Sequence, residues 1–253
     1  MNRLTVGYSA LADRVAGIKP PNAPFDLLLV VQNAKANNWQ DKLPKALKDS
    51  AVTDELQSLG VAKSRNRVIE LASTDYLVFA DDDIEFVDSG LNAVINYLDA
   101  NPEVALVLAQ ATDYSGKLRK PYPSSEQALT KLNSARAATY EMVIRVSAIK
   151  ELGIRFDENF GAGVENYLGD EYIFVADLLS AGGKAVFLPI TIATHPEVSS
   201  GSGWGTDRDR RARAKVFTRV FGALAPVVRL AFGLRRLGLL GGAGNLVRFV
   251  FGR

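Results

Sequence analysis

The sequence predicts an α/β fold, in the form of a Rossmann-like mixed sheet flanked by helices. Two short apolar segments, 4–8 and 25–31, have the length and composition of buried strands. Apolar residues at helical spacing over 60–72 lead into a third segment of this kind, 76–80. Because the order is strand, loop, strand, helix, strand, we expect a doubly wound sheet with right-handed crossovers.

The remaining segments continue this alternation. A Lys- and Asn-rich stretch, 33–49, predicts a loop with a short helix. Further strands are predicted at 104–109, 140–146 and 185–188, and helices at 91–100, 147–152 and 169–181. Gly182 and Gly183 stand just past the last of these helices, where glycine commonly ends a helix. We expect residues 1–205 to form one α/β domain and residues 206–253 a C-terminal helical extension.

The composition is that of an ordinary globular protein. The chain has 253 residues, 47% hydrophobic and 23% charged, which is enough apolar material for a sizeable core. A net charge of +2 provides no global field for nucleic acid, and no nucleic-acid motif accompanies the basic residues. The absence of cysteine excludes disulfides and thiolate metal sites. No apolar run reaches the roughly 20 residues that span a bilayer, and the start has no secretory pattern, so we expect a cytoplasmic location.

The C-terminal extension differs from the rest in being basic and amphipathic. Residues 206–215 are dense in Asp and Arg, whereas 216–253 mix apolar residues with Arg and Gly. Pro226 and the glycines of 233–244 predict a division into two or three short helices. Two interpretations stay open. The helices lie on an anionic membrane, at the inner face of the cytoplasmic membrane, or they pack on the rest of the chain or on a second copy in a homo-oligomer.

Three consecutive carboxylates follow the predicted strand 76–80 directly. Asp81, Asp82 and Asp83 would lie at the carboxyl end of that strand, where open α/β sheets bind their ligands. Adjacent carboxylates repel one another and need a counter-charge, which a divalent cation with oxygen ligands provides. An acidic turn without a function is the structural alternative for this motif taken alone.

Three further features follow in order. The glycine loop 161–163 precedes the acids Asp170 and Glu171 at the predicted start of a helix, and His195 follows the last strand. Carboxylates at such a position can act as general bases, although the helix dipole by itself also favours acids there. His195 is the only histidine, and a neutral imidazole can bind a metal, although a lone histidine is often structural.

Five motifs in a fixed order carry a resemblance to a known family. They are Arg65-Asn66, Phe79-Ala80-Asp81-Asp82-Asp83, Gly153–Phe160, Gly169-Asp170-Glu171 and Gly183–Phe187. With these motifs the chain resembles the nucleotide-sugar-dependent glycosyltransferases of the GT-A fold, and is most similar to family 2, over residues 4–198. The resemblance implies a GT-A mixed sheet and the transfer of a sugar from a nucleotide-sugar donor to a hydroxyl acceptor.

The resemblance also implies roles for the acids and the histidine. Asp83 would bind Mn²⁺ or Mg²⁺ directly, Asp81 would meet the ribose or a metal-bound water, and His195 would join the metal shell. The cation would stabilise the diphosphate leaving group. Glu171, beside Asp170, would be the base that takes the proton of the acceptor, in a single displacement with inversion. The family more often has Asp at this position, so Glu171 is a departure.

Other positions are candidates for binding the donor and the acceptor. The nucleotide sugar is expected at the ends of the first strands and beside the acidic triplet, in contact with Tyr8, Ser9, Gln32, Asn33, Lys63, Arg65 and Asp82. A solvated helix face is the structural alternative for Lys63 and Arg65. The family usually has an acid where Gln32 and Asn33 stand, so the nucleotide base is not indicated. The acceptor side and a lid over 199–205 are assigned to Gly161, Ala162, Gly163 and Trp204, with a plain linker as the alternative to the lid.

These features together predict a metal-dependent glycosyltransferase (EC 2.4). Its acceptor is expected to be a glycan or a lipid-linked molecule, in the synthesis of bacterial cell-surface polysaccharide. One alternative is another nucleotide-sugar enzyme, such as a nucleotidyltransferase, but the glycine- and basic-rich loop of that class is missing after the first strand. The other alternative is a non-catalytic subunit that binds a nucleotide or a sugar.

Overall fold

The computed structural model describes residues 2–36, 38–196 and 206–252. The strands within these ranges are β1 (Leu4–Leu11), β2 (Asp26–Gln32), β3 (Ala51–Leu56), β4 (Tyr76–Ala80), β5 (Glu85–Phe86), β6 (Val104–Thr112), β7 (Gln127–Ala128), β8 (Met142–Arg145) and β9 (Lys184–Thr194). The helices are α1 (Trp39–Lys42), α2 (Lys45–Ser50), α3 (Val61–Leu71), α4 (Asp88–Ala100), α5 (Val146–Glu151), α6 (Asp170–Ser180), α7 (Asp207–Phe221), α8 (Ala225–Leu234), α9 (Leu237–Leu240) and α10 (Ala243–Val250).

The strands form one mixed sheet in the order β3-β2-β1-β4-β8-β6-β9-β5, with β7 paired to β9. The first four strands of this order run parallel, and β8 is antiparallel to both β4 and β6. The expected mixed α/β sheet is confirmed. Because β1, β2 and β4 are parallel neighbours, the residues that follow them meet at one edge of the sheet.

Helices cover both faces of the sheet. Leu91 of α4 packs with Tyr8 in the buried cluster on one face, whereas Val68 of α3 and Phe174 of α6 belong to the cluster on the other. A Cβ on Gly7 of β1 would lie 2.3 Å from Cγ1 of Val68, so glycine is needed for α3 to approach the sheet this closely. Helices α3 and α6 therefore share one face, and this brings together residues that are far apart in the chain.

The structure differs from the sequence-based expectations at two of the first strands. β1 continues to Leu11, three residues beyond the predicted end, so Tyr8 lies inside the strand rather than at its end. β3 was not predicted, because it lies at the edge of the sheet, none of its six residues is fully buried, and three of them are polar. An edge strand buries no full face, so it lacks the apolar pattern that marks a strand in a sequence.

The C-terminal extension packs on the α/β part of the chain. Val216 and Val220 of α7 join a buried cluster with Phe160 and Tyr172. Arg219 of α7 also forms ion pairs with Asp177 of α6 and Asp157. A second cluster, formed by Ala214, Phe217, Leu240, Leu246 and Phe249, holds α7 to α10 together. Packing on the chain itself, one of the two interpretations left open, thus accounts for one side of the extension.

The other side of the extension is apolar and exposed. Val227, Leu230 and Leu234 lie on the same face of α8. Their exposed fractions are 67%, 44% and 58%. By length and composition alone, the stretch Asp207–Leu234 could also span a membrane. In the fold, however, this stretch is interrupted by a 3₁₀ turn at Gly222–Leu224 and is anchored by the contacts of α7.

Candidate active site

A cavity of about 1510 Å³ opens at the edge of the sheet where β1, β2 and β4 end. The α/β part of the chain contributes Ser9, Gln32, Asp81, Asp82, Asp83, Asp170, Glu171 and His195 to its wall. The extension contributes Arg213, Phe217, Phe232, Arg235, Arg236 and Leu239. The cavity therefore gathers most of the residues predicted for the site, and helices of the extension form part of its wall.

A buried arginine lies between the acidic triplet and the start of α6. Nη2 of Arg65 lies 3.0 Å from Oδ1 of Asp81, and its Nη1 lies 2.5 Å from Oδ2 of Asp170. Burial alone would lower the pKa of Arg65, but the surrounding carboxylates outweigh that effect and raise this pKa. Arg65 was expected to touch the donor or to lie on a solvated helix face. Its burial, at 4% exposure, contradicts the solvated helix face, and its two ion pairs make it the counter-charge that joins two acids of the site. Arg65 also lines the cavity, so its contact with the donor stays a prediction.

The two acids at the start of α6 have different surroundings. Asp170 is 3% exposed, and burial together with the neighbouring Glu171 raises its pKa against the opposing effect of Arg65. The side chain of Glu171 is 23% exposed, and its Oε1 accepts a hydrogen bond of 2.8 Å from Oγ1 of Thr139. Glu171 is thus the acid of the pair that remains accessible from the cavity, whereas Asp170 is held inward.

The acidic triplet has a second arginine that the sequence analysis did not select. Nη2 of Arg14 lies 2.6 Å from Oδ1 of Asp82 and 3.5 Å from Oδ2 of Asp83. Burial, reinforced by the adjacent Asp83 and Asp81, raises the pKa of Asp82 to about 6 despite Arg14. Arg14 belongs to no recognisable motif in the sequence. Its position next to the triplet depends on how the turn after β1 folds back over the strand ends.

His195 lies next to the last acid of the triplet. Its ring stacks on Tyr140 with 4.8 Å between centroids, and Nδ1 lies 2.6 Å from the carbonyl oxygen of Pro196. A carbonyl only accepts hydrogen bonds, so Nδ1 must carry the proton, and Nε2 of the neutral ring then offers a lone pair. This Nε2 lies 3.8 Å from Oδ1 of Asp83. An imidazole nitrogen and a carboxylate oxygen therefore lie close together at the wall of the cavity.

The carboxylate of Asp83 and the imidazole of His195 are candidate ligands for a divalent cation such as Mg²⁺. Mg²⁺ is commonly held by one or two carboxylates and completes its shell with substrate phosphates. Asp83 and His195 could supply two ligands at the cavity wall. Among the residues that the structure describes, no group of three or more His, Asp and Glu side chains is arranged to hold a metal ion unaided. A cation bound at Asp83 and His195 would therefore need further ligands from outside these residues.

The positions expected to bind the nucleotide divide into two groups. Ser9 and Gln32 line the cavity, and the buried Oγ of Ser9 has no hydrogen-bond partner within the described chain. Oε1 of Gln32 already accepts the backbone N–H of Gly60. Tyr8, Asn33 and Lys63 do not line the cavity.

The geometry of β1 explains why Tyr8 does not line the cavity. Side chains alternate along β1, so Ser9 and Leu11 face the cavity, whereas Tyr8 points to the opposite face. Tyr8 is fully buried there, and its hydroxyl donates to the carbonyl of Lys19. Asn33 follows β2 with φ at +55° and an exposed side chain. Fewer polar side chains therefore line the cavity at the strand ends than the sequence predicted.

The glycine loop lies beside the acids of α6. Ala162 and Gly163 line the cavity, and the carbonyl of Ala162 accepts the N–H of Val61 at the start of α3. Gly161 has φ at +100°, and a Cβ there would lie 2.8 Å from Cγ of Asp170. The loop therefore helps to position Asp170. The predicted lid over 199–205, with Trp204, lies outside the described residues.

Comparisons with known proteins concern the family and the fold of the chain. Residues 28–153, about half of the chain, match the family model described as Glycosyl transferase family 2. The crystal structure of S. aureus TarS 1–349 in complex with UDP-GlcNAc aligns with a TM-score of 0.59 and 13% identity, over 99% of this chain and 82% of that one. The complex of the same protein with UDP aligns with a TM-score of 0.57 and 15% identity, over 99% and 81% of the two chains. At such identities the structural likeness shows the fold alone, and the expected GT-A fold is confirmed.

A search of curated protein sequences finds no match to this chain.

Proposed function

The chain is a family 2-like glycosyltransferase with the GT-A fold, and on this premise we propose how it acts. It transfers a sugar from a nucleotide-sugar donor to a hydroxyl acceptor, with Glu171 as the general base and with a divalent cation at Asp83 and His195. The proposal is carried by one observation: an accessible carboxylate at the start of α6 and a converging carboxylate–imidazole pair line the same cavity.

The donor is proposed to lie over the carboxyl ends of β1, β2 and β4. The unpartnered Oγ of Ser9 and the side chain of Gln32 offer polar contacts to the nucleotide at this edge. Asp81 and Asp82 are held by Arg65 and Arg14, so both carboxylates have fixed positions before a ligand arrives. Because Asp81 and Asp82 are already paired with arginines, the diphosphate of the donor is proposed to lie against the third acid, Asp83.

Asp83 and His195 are the residues that would hold Mn²⁺ or Mg²⁺. When bound, such a cation neutralises the charge that develops on the diphosphate leaving group. The backbone carbonyl of Pro196 keeps the imidazole in the tautomer whose Nε2 can coordinate, and Tyr140 fixes the plane of the ring. These contacts support a site that is formed in advance by the protein.

Glu171 is proposed to take the proton of the attacking hydroxyl. Thr139 donates a hydrogen bond to its Oε1, and Nη1 of Arg65 lies 3.6 Å from the same atom, so the carboxylate is oriented for this task. Asp170 is engaged by Arg65 and serves to position that arginine. A single base on the acceptor side corresponds to one displacement with inversion, which NMR analysis of the product anomer tests; retention would contradict it.

The proposed setting is the synthesis of bacterial cell-surface polysaccharide at the inner face of the cytoplasmic membrane. It is supported by the exposed apolar residues of α8 and by the basic residues of the same extension. The acceptor would then be a glycan or a lipid-linked molecule that reaches the cavity from the side of the extension.

The decisive experiment measures donor binding and its dependence on metal. Thermal unfolding of the wild type is followed with UDP, GDP, dTDP or CMP, each with and without Mn²⁺, because a bound ligand raises apparent stability by mass action. We expect one nucleotide to stabilise the protein in a Mn²⁺-dependent manner, and the corresponding nucleotide sugar to be hydrolysed slowly. If a nucleotide stabilises the wild type but no donor is turned over, the non-catalytic alternative replaces this proposal. If no nucleotide stabilises the wild type, the proposal is overturned.

A further inference from the structure

A short 3₁₀ turn lies between the proposed base and the proposed metal ligand. It comprises Thr139, Tyr140 and Glu141, and we name it the 139–141 turn. All three residues are buried. β8 begins at the next residue, Met142, and pairs with β4 on one side and with β6 on the other. The turn is therefore attached to the interior of the sheet rather than to an edge.

The first two residues of the turn contact the two groups proposed for the reaction. Oγ1 of Thr139 donates a hydrogen bond of 2.8 Å to Oε1 of Glu171, the proposed base. The ring of Tyr140 stacks on that of His195, the proposed metal ligand, with 4.8 Å between centroids and 22° between the ring planes. Glu171 lies in the first turn of α6, whereas His195 follows β9. One turn thus contacts two groups that come from different elements.

The third residue, Glu141, holds the turn from the side away from the cavity. Its side chain is fully buried and does not line the cavity. Its Oε1 accepts a hydrogen bond of 2.6 Å from the hydroxyl of Tyr122, and its Oε2 accepts one of 2.7 Å from Nζ of Lys120. Oε2 also accepts the backbone N–H of Ala138, the residue before the turn, at 3.3 Å. Both carboxylate oxygens are therefore engaged, and one of them is bonded to the backbone that enters the turn.

The two side chains that donate to this carboxylate are themselves held in place. The hydroxyl of Tyr122 accepts the backbone N–H of Ala111 in β6, and its ring stacks on Phe187 in β9 with 6.0 Å between centroids. Nζ of Lys120 also donates to the carbonyl of Arg136, which lies three residues before the turn. The carboxylate therefore links the turn to two strands of the sheet.

From these contacts we infer that Glu141 is a positioning residue for both parts of the site: by fixing the 139–141 turn, it sets the hydrogen bond on Glu171 and the ring plane of His195. This role rests on the proposed function, because it concerns the same base and the same cation site. Since Glu141 does not line the cavity, it acts through Thr139 and Tyr140 rather than on a substrate. Partners that orient a ligand in this way commonly contribute about 10–100-fold to metal affinity or activity.

Three variants separate the two contacts of the turn. Thr139→Val removes the hydrogen bond to the base, so kcat should fall by about tenfold while the Mn²⁺-dependent affinity for nucleotide stays unchanged. Tyr140→Leu removes the stacked ring, so the Mn²⁺ concentration that gives half of the thermal stabilisation by nucleotide should rise by about tenfold. Glu141→Gln keeps the size of the side chain but leaves one acceptor oxygen for three donors, and it should produce both changes.

A measurement on the metal-free protein reports the orientation of the imidazole directly. His195 is the only histidine of the chain, so the imidazole signals in long-range proton–nitrogen NMR spectra of tag-free protein belong to this ring. In the wild type we expect the neutral tautomer with its proton on Nδ1, facing the carbonyl of Pro196. Tyr140→Leu and Glu141→Gln should both shift these signals, because the stacking on the ring is lost or altered. Thr139→Val should leave them near their wild-type positions.

Two further variants distinguish positioning from a general loss of stability. Leu47→Ala opens a cavity in the core beneath α2, which packs on β2 and β3 and does not line the active-site cavity. It should lower the unfolding temperature while leaving kcat, the Mn²⁺ dependence and the signals of His195 unchanged. Tyr122→Phe removes one donor to Glu141 without changing the cavity wall, and it should reproduce the effects of Glu141→Gln in weaker form.

The outcomes separate this role of Glu141 from the proposed function. If Glu141→Gln changes kcat, the Mn²⁺ dependence and the NMR signals no more than Leu47→Ala does, the positioning role is overturned and the proposed function stands. A change in only one of kcat and the Mn²⁺ dependence overturns it as well, because the turn would then serve only one group. If Glu141→Gln does not fold, Tyr122→Phe decides the question by the same readouts. A wild type that neither binds nucleotide with Mn²⁺ nor transfers a sugar overturns the proposed function, and the positioning role with it.

Discussion

Nη1 of Arg65 lies 2.5 Å from Oδ2 of Asp170, although 105 residues separate the two in the sequence. Both side chains are buried, at 4% and 3% exposure. The same guanidinium reaches Asp81, so a single cation joins the acidic triplet on one side of the cavity to the start of α6 on the other. The relative position of the proposed metal site and the proposed base therefore depends on one arginine.

Replacing Arg65 should destabilise the whole fold. Arg65→Met leaves the buried carboxylate of Asp170 without its partner, and breaking a buried ion pair in this way costs about 3–5 kcal/mol. Urea denaturation measures the change. Arg67→Met is the control on the same helix, because Arg67 is 40% exposed and its pairs with Asp54 and Glu70 lie at the surface. Equal losses of unfolding free energy in the two variants would show that Arg65 contributes no more to stability than Arg67.

Glu171→Gln should greatly slow transfer without preventing donor binding. The amide keeps the size of the side chain but cannot take a proton, so we expect kcat to fall by about 10²–10⁴-fold. Initial rates of transfer and the Mn²⁺-dependent affinity for donor are measured side by side. Glu151→Gln, at an exposed position at the end of α5, serves as the control and should retain full activity. A Glu171→Gln enzyme with normal kcat would assign the base to another residue.

Asp83→Asn and His195→Gln should each weaken the effect of Mn²⁺ on donor binding. Asp83→Asn removes the negative charge of one proposed ligand, and His195→Gln removes the imidazole nitrogen of the other. The shift in unfolding temperature caused by nucleotide with Mn²⁺ should shrink toward the shift caused by nucleotide alone. Asp49→Asn, at an exposed position in α2, should leave both shifts unchanged. Wild-type behaviour of both site variants contradicts the proposed ligands.

Gly161→Ala should reduce activity as well as stability. At φ +100° any side chain is strained, and the new Cβ would also lie 2.8 Å from Cγ of Asp170 and 2.9 Å from Cγ1 of Val61. Gly182→Ala is the matched control, since Gly182 has φ at +84° with nothing within 4 Å of the added Cβ. The control should lose about 1–2 kcal/mol of stability from backbone strain while keeping its kcat. A Gly161→Ala enzyme with normal kcat would mean that the loop does not position the acids.

The exposed face of α8 should govern binding to anionic membranes. Val227→Asp and Leu234→Asp place charges on a face that is otherwise apolar, so we expect co-sedimentation with phosphatidylglycerol vesicles to fall several-fold. Val52→Asp on β3 is the control, because Val52 is 63% exposed but lies at the far edge of the sheet. Removing the whole extension is a poor test, since Val216 and Val220 would leave part of the core exposed. Sedimentation that is equal for all three variants and the wild type contradicts a membrane contact at α8.

Much of the fold could be predicted because the buried strands and helices carry strong patterns. β4 begins and ends where its apolar run does, and helices α3, α4 and α6 lie close to their predicted positions. The edge strand β3 and the two-residue strands β5 and β7 could not be predicted in this way. Their residues are exposed or few, and their pairing is decided by neighbours from elsewhere in the chain.

The site was predictable where it follows a local motif. The acidic triplet, the pair Asp170-Glu171 and His195 all reach the cavity, because each directly follows a strand or opens a helix whose position is set by the core. Tyr8 was misplaced because the end of β1 depends on its pairing with β2, which runs through Leu11 and Gln32. Because β1 continues to Leu11, Tyr8 lies inside the strand, and the alternation of side chains turns it away from the cavity.

The sequence by itself determined the alternation of strands and helices, the order of the acidic motifs along the chain and the likeness to family 2. These are local properties, since they depend on apolar periodicity and on residues adjacent in the chain. Only the tertiary structure decided that Arg65 joins Asp81 to Asp170, that Arg14 pairs with Asp82, and that helices of the extension bring arginines to the wall of the cavity. Such contacts arise where elements pack across the sheet, and charge pairing between distant side chains leaves no periodic trace in the sequence.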